Sequence, residues 1–304
     1  MMRKLFAMLM AAVLLMAVGT GLAETAEELK VASPGGAPGL ALAVLAAENP
    51  DLYSFVAAEA ITAEFGSGNA DLIIAPVNAG AKLYRAGKST YKLGAVVTWG
   101  NLFFASQKEN FALEDMNGAA VTLFGEGTLN AALALHVLEQ KGIVPASVEY
   151  LAGAANTQTL LLSDENAIVM TAEPALTAAS LKNERVTGIA LNDLLKEVTG
   201  YDGFPQAGLF IKAETLETRP DAVKDMLDRI AESAALCDTD VDRVAEAAAQ
   251  LELLPNAKVA SLAIPRCAVR FVSAAEAREQ IETTAAIDLS QFGGAVPADD
   301  FYYE

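Results

Sequence analysis

Histidine, cysteine and positive charge are scarce in this chain, and each scarcity removes a class of chemistry. His136 is the single histidine, Cys237 and Cys267 are the two cysteines, and 21 basic side chains stand against 39 acidic ones. So few nitrogen and sulfur ligands supply neither a zinc cluster nor a histidine-dependent triad. His136 lies in the helix pattern 129–141, which Gly142 closes, and reads as a packed or half-exposed helix residue. A formal charge of −18 repels phosphate backbones, so nucleic-acid binding is not expected. No metal and no cofactor are expected. Both cysteines sit in apolar contexts, where they either pair in an oxidising compartment or stay as buried thiols.

Residues 1–23 read as a secretory signal: Arg3 and Lys4 make the positive start, 5–18 the apolar stretch, and Gly21-Leu22-Ala23 the small-residue cleavage site. That stretch is shorter than the roughly 20 residues of a membrane helix, and no later run reaches this length. The expectation is an exported, soluble chain, periplasmic or extracellular, that starts near Glu24 and carries 19 basic against 39 acidic side chains. No cysteine follows the signal to carry a lipid anchor.

The remaining chain repeats one unit, an apolar strand feeding a helix through a small-residue loop. In the first unit a strand at 29–32 leads through Ser33-Pro34-Gly35-Gly36-Ala37-Pro38 into a helix at 39–48. Gly35 and Gly36 clear side chains from the backbone, and the first-turn N–H groups of the helix point at open space, so a ligand can satisfy them. An ordinary serine-capped turn is the competing reading. The apolar run 71–75 reads as a buried strand, and Pro76-Val77-Asn78 opens the next helix, with Asn78 either its cap or a ligand contact. Continuous apolar strands separated by helices imply a parallel sheet covered on both faces, with its loops gathered on one edge.

Strand 93–99 ends at Trp99, the only tryptophan, beside Gly100 and Asn101. An aromatic face and an amide at a strand end suit a ligand, although a core role for the ring is the plainer alternative. From Met116 the pattern restarts: a strand at 119–124, then Gly125-Glu126-Gly127-Thr128, then the helix at 129. No P-loop lysine is present, so nucleotide hydrolysis is not supported. A loop reaching Asn156 opens a short helix, and the strand 167–171 ends in Ala172-Glu173-Pro174, where Glu173 is either a helix-start carboxylate or a ligand contact. A strand at 208–211 and helices at 220–237, 241–251 and 274–289 follow, and the tail 293–303 docks its aromatics on the body.

Taken in this order and spacing, Ser33 to Pro38, 71–78, Thr98 to Asn101, Gly125 to Thr128, Glu173-Pro174 and the closing 297–303 resemble the substrate-binding proteins of ABC importers. The likeness is to the nitrate, sulfonate, taurine and thiamine-precursor type. It implies an α/β chain with the type II periplasmic-binding-protein fold: lobe I from 24–101 and 207–304, lobe II from 102–206, and a hinge that bends to close a cleft. Ser33, Gly35, Gly36, Asn78, Trp99 and Asn101 would form one wall, and Gly127, Thr128, Asn156 and Glu173 the other. A monomer is implied that captures a small organic molecule and passes it to ABC permease subunits. An enzyme on the same fold and a ligand-sensing module for a membrane receptor are the rival functions. Many Gram-positive relatives carry a lipid-anchoring cysteine that is missing here.

Overall fold

The computed structural model describes residues 28–304, and the expected signal at 1–23 lies outside the described residues. Strands β1 (Val31–Pro34), β2 (Tyr53–Val56), β3 (Leu72–Pro76) and β4 (Tyr91–Thr98) come first. After them the chain crosses to β5 (Leu102–Ser106), β6 (Ala120–Phe124), β7 (Ser147–Leu151), β8 (Ile168–Ala172) and β9 (Thr187–Ala190), then returns to β10 (Ala207–Lys212) and β11 (Val269–Ser273).

Two mixed sheets result, ordered β11-β4-β10-β3-β1-β2 and β7-β6-β8-β5-β9. In the first, β1 is parallel to β2 and β3, while β10 lies antiparallel between β3 and β4. In the second, β6 is parallel to β7 and β8, while β5 lies antiparallel between β8 and β9. In each sheet the first strand laid down after the chain has crossed over runs antiparallel to its neighbours, and in the first sheet edge strand β11 also runs antiparallel to β4.

The apolar runs of β3 and β5 fit this plan. Leu72 to Ala75 and all five residues of β5 are buried, as expected of strands covered on both faces. One face of the first sheet packs on helices Ala43–Glu48, Pro220–Thr239 and Val241–Gln250 through residues such as Leu40, Val97, Leu209, Ile230 and Val244. The core on its other face runs continuously through Trp99, Leu102 and Phe204 into Leu123, Leu133 and Met170 of the second half. The second sheet's remaining face has a smaller cluster centred on Phe103, Leu161, Val169 and Leu176.

Several boundaries differ from the sequence expectation. The first strand starts later, at Val31, where it meets Tyr53 of β2. The helix expected over 39–48 is broken into Ala37–Leu40 and Ala43–Glu48, with Leu42 N–H donating to Gly39 O at 3.0 Å in a tighter turn. Helix Ala257–Ala263 and edge strand β11 were not anticipated; β11 is mostly half-buried, carries Arg270, and pairs irregularly with β4. The tail does dock: Phe301 and Tyr302 are buried, and Tyr302 bridges to Leu93 of β4. Both cysteines are buried, unpaired thiols, which decides between the two alternatives, and burial pushes Cys237 up to about 12.

The two crossovers run side by side. Phe204 N–H donates to Trp99 O at 3.1 Å, Gln206 N–H to Thr98 O at 3.0 Å, and Asn192 Nδ2 to both Trp99 O and Gly100 O. They approach so closely at Gly203, where φ is +83°, that a Cβ there would lie 2.1 Å from Trp99 O.

Candidate functional site

A cavity of about 390 Å³ opens between the strand-end loops of the two sheets. The first sheet contributes Pro34 at the end of β1 with Gly35 and Pro38 beyond it, Ala58 and Ile61 after β2, and Pro76 at the end of β3 with Asn78 and Ala79 beyond it. The second half contributes Gly127, Thr128, Leu129 and Asn130 after β6. Asn101 and Phe204 to Ala207 enter from the crossovers except Pro205, and Gln291 from the tail. The volume is in the range of small-molecule sites, and the lining has the usual character: apolar walls with a few convergent polar groups.

Local sequence explains how those groups are presented. Pro76 ends β3 and stands as the N-cap of helix Val77–Arg85, so Asn78 occupies the second helical position and does not cap. Thr128 does cap helix Leu129–Gln140: its Oγ1 accepts from Ala131 N–H at 3.5 Å and donates to Gly125 O at 2.6 Å. Asn130 then occupies the second position of that helix, as Asn78 does in its own. Val77 N–H donates to Gln206 O at 3.1 Å and the Thr128 cap takes Ala131 N–H, while the other first-turn N–H groups of both helices have no carbonyl within the helix to bond, so one helix start from each half brings free donors and partial positive charge to the cleft.

Of the ten residues expected to bind, Gly35, Asn78, Asn101, Gly127 and Thr128 line this cavity. The other five are placed elsewhere. Ser33 is wholly buried in β1, and its hydroxyl donates to Pro34 O at 2.9 Å. Gly36, with φ +76°, is the N-cap of the short helix behind the loop. Asn156 is exposed on the helix after edge strand β7, away from the lining.

Trp99 offers no stacking face to the cleft. It is 2% exposed, its Nε1 donates to Arg270 O at 3.1 Å, and the Arg270 guanidinium lies 4.5 Å from its ring centre. The ring fills the junction where both crossovers meet β11. Glu173 is also closed off: its side chain is fully buried, Oε2 accepts from Thr177 N–H at 3.1 Å, and Arg266 Nη1 stands 3.0 Å from Oε1. Burial raises this carboxyl above its ordinary value, against the opposing pull of Arg266 and Thr177. Glu126 is exposed and also lies outside the lining. None of the described residues around the cavity carries a charge.

Asn130, Gln206, Gln291 and Phe204 were missed from sequence. Asn130 had a readable signal, because Val77-Asn78-Ala79 and Leu129-Asn130-Ala131 are the same apolar-Asn-Ala helix opening. Gln291 had none, since only the docking of the tail brings it to the cleft.

The pattern of the family described as NMT1/THI5 like matches residues 38–240. An ABC transporter from Parabacteroides distasonis has a similar structure, with a TM-score of 0.79 at 20% identity over 91% of this chain and 99% of that one. The periplasmic aliphatic sulphonate binding protein SsuA from Escherichia coli is similar with a TM-score of 0.69 at 18% identity, over 91% of this chain and 92% of that one. A putative nitrate transport protein from Thermoplasma volcanium gives 0.57 at 14% identity, over 88% and 96% of the two chains. No curated protein matches the sequence. These likenesses establish the fold as that of periplasmic binding proteins.

Proposed function

Because this chain belongs to the NMT1/THI5-like family, we propose that it is an extracytoplasmic solute-binding protein that captures a small organic molecule and delivers it to an ABC permease. The observation that carries this reading is the cavity between the two sheets, lined from both halves and from the crossovers that join them. The lobes are 24–101 with 207–304, and 102–206, and the paired crossovers are the hinge. Ligand closes the cleft by binding the closed form better than the open one, and moving the balance from 1:99 to 99:1 takes about 5.5 kcal/mol of differential affinity.

The lining contains amides, one hydroxyl and apolar groups, with no histidine, cysteine, lysine or carboxylate to act as nucleophile or base. Among the described residues no helix is long and apolar enough to cross a membrane, consistent with a receptor domain that meets its permease at the surface. The test is reconstitution of the permease in liposomes with the chain in its exported form. The expected result is uptake and ATP hydrolysis that depend on the added chain, together with a smaller radius of gyration of the chain when solute is present. Transport indifferent to the chain would overturn the assignment.

A further inference from the structure

Resting on that solute-binding reading, we infer that the cleft selects an uncharged ligand that both donates and accepts hydrogen bonds on a compact apolar body. The orientations of two glutamine amides carry this. Asn101 is 8% exposed, and its Nδ2 donates to the backbone oxygen of Glu173 at 2.9 Å. A carbonyl oxygen can only accept, so the amide orientation of Asn101 is fixed and its Oδ1 faces Gln206. Gln206 must then donate, and its Nε2 does so at 3.1 Å. That leaves Gln206 Oε1 as an acceptor with no partner among the described residues.

Gln291 repeats the logic across the mouth of the cleft. Its Nε2 donates to Gly127 O at 2.9 Å, again a backbone carbonyl, and its Oε1 is left over. Two amide oxygens on the lining therefore call for donors on the ligand. On the facing surfaces, the starts of helices Val77–Arg85 and Leu129–Gln140, with Asn78 and Asn130 at their second positions, call for acceptors.

An oxyanion has no hydrogen to give Gln206 or Gln291, and each of these half-buried acceptors that a ligand covers without matching costs up to about tenfold in affinity. A cation meets the positive ends of two helices and finds no carboxylate, since Glu173 is held by Arg266 and Glu126 lies outside. The excess of 39 acidic over 21 basic side chains thus stops short of the site itself. Pro34, Pro38, Ile61, Leu129 and Phe204 supply the apolar surface for the body of the ligand.

Three probes of nearly one shape separate these cases: benzamide, which donates and accepts, benzoate, an anion that only accepts, and benzamidinium, a cation that only donates. Calorimetry on the whole exported chain at millimolar probe should give benzamide at least about tenfold tighter than either charged probe. Gln206→Glu should move the preference toward benzamidinium. Benzoate or benzamidinium binding as well as benzamide to the unmodified chain would overturn the inference, as would no heat from any of the three. If a charged probe wins and scattering shows the chain compacting around it, the neutral-ligand inference falls while the solute-binding reading stands. Benzamide binding that survives Leu129→Arg is binding outside the cleft, and overturns both.

Discussion

The two sheets are built to one plan and finished differently at one corner. β3 and β8 hold the same place in their sheets, each the third parallel strand laid down (after β1 and β2, and after β6 and β7) and neighbour to the antiparallel strand that enters from the other half. After β3 the chain turns through Pro76 into a helix whose Asn78 opens onto the cleft. After β8 it turns through Glu173, and there the position is sealed: Arg266, from the first half, pairs with the buried carboxylate and lies 4.5 Å over the ring of Phe103. One corner opens onto the cavity and its counterpart ties the halves together. The difference fits the packing, since the outer face of the second sheet has only a small cluster, to which Phe103 belongs.

The largest way to break this arrangement is at the junction that belongs to neither half. Trp99→Ala removes a buried ring that fills the space between both crossovers and β11, and should cost about 3–5 kcal/mol of stability. Urea denaturation measures it. Unchanged stability with weakened solute binding would mean that the ring works as a stacking face after all.

The sealed corner comes next. Arg266→Met leaves the fully buried Glu173 carboxylate unpaired, and removing one partner of such a pair costs about 3 kcal/mol at neutral pH. Because burial raises the Glu173 carboxyl, the folded chain takes up its proton at a higher pH than the unfolded chain. Stability contributed by this group is therefore present below the ordinary value of 4.5 and is lost as pH rises through the raised folded value. Glu173→Gln should flatten that stretch of the stability profile, and the cost of Arg266→Met should shrink in acid. A pH-independent cost would separate Arg266 from Glu173.

The sequence made the sheets legible because apolar runs such as 72–75 and 119–124 are bounded by glycine, proline and asparagine, whereas 102–105 does not read as a strand of its own. It also located the loops after β1, β3 and β6 at the cavity, since a strand-to-helix turn that follows a parallel strand lies on that edge of the sheet. What it could not give was the aim of each side chain. Trp99 and Glu173 stand at strand ends like Asn78, yet their partners, Arg270 and Arg266, come from a distant segment whose fold carried little periodic signal. Asn78 and Asn130 needed no distant partner, because a place in a first helical turn fixes where a short side chain goes.

The finest comparison is between the two glycine loops at the cleft. Gly35, after β1, lies outside the left-handed region, and a Cβ there meets nothing within 4 Å. Gly127, after β6, has equally open space but a φ of +70°, which an L side chain adopts at a cost of about 1–2 kcal/mol. The two loops therefore use glycine for different reasons, one for clearance and one for conformation. Gly127→Ala should lower stability by about 1 kcal/mol, whereas Gly35→Ala should leave it within about 0.5 kcal/mol and instead put a methyl group into the space a solute would fill. Thermal unfolding of both variants, read beside solute affinity, checks the distinction: Gly35→Ala should weaken binding without loosening the fold. Equal losses of stability in the two variants would show that both loops need glycine for the same backbone reason.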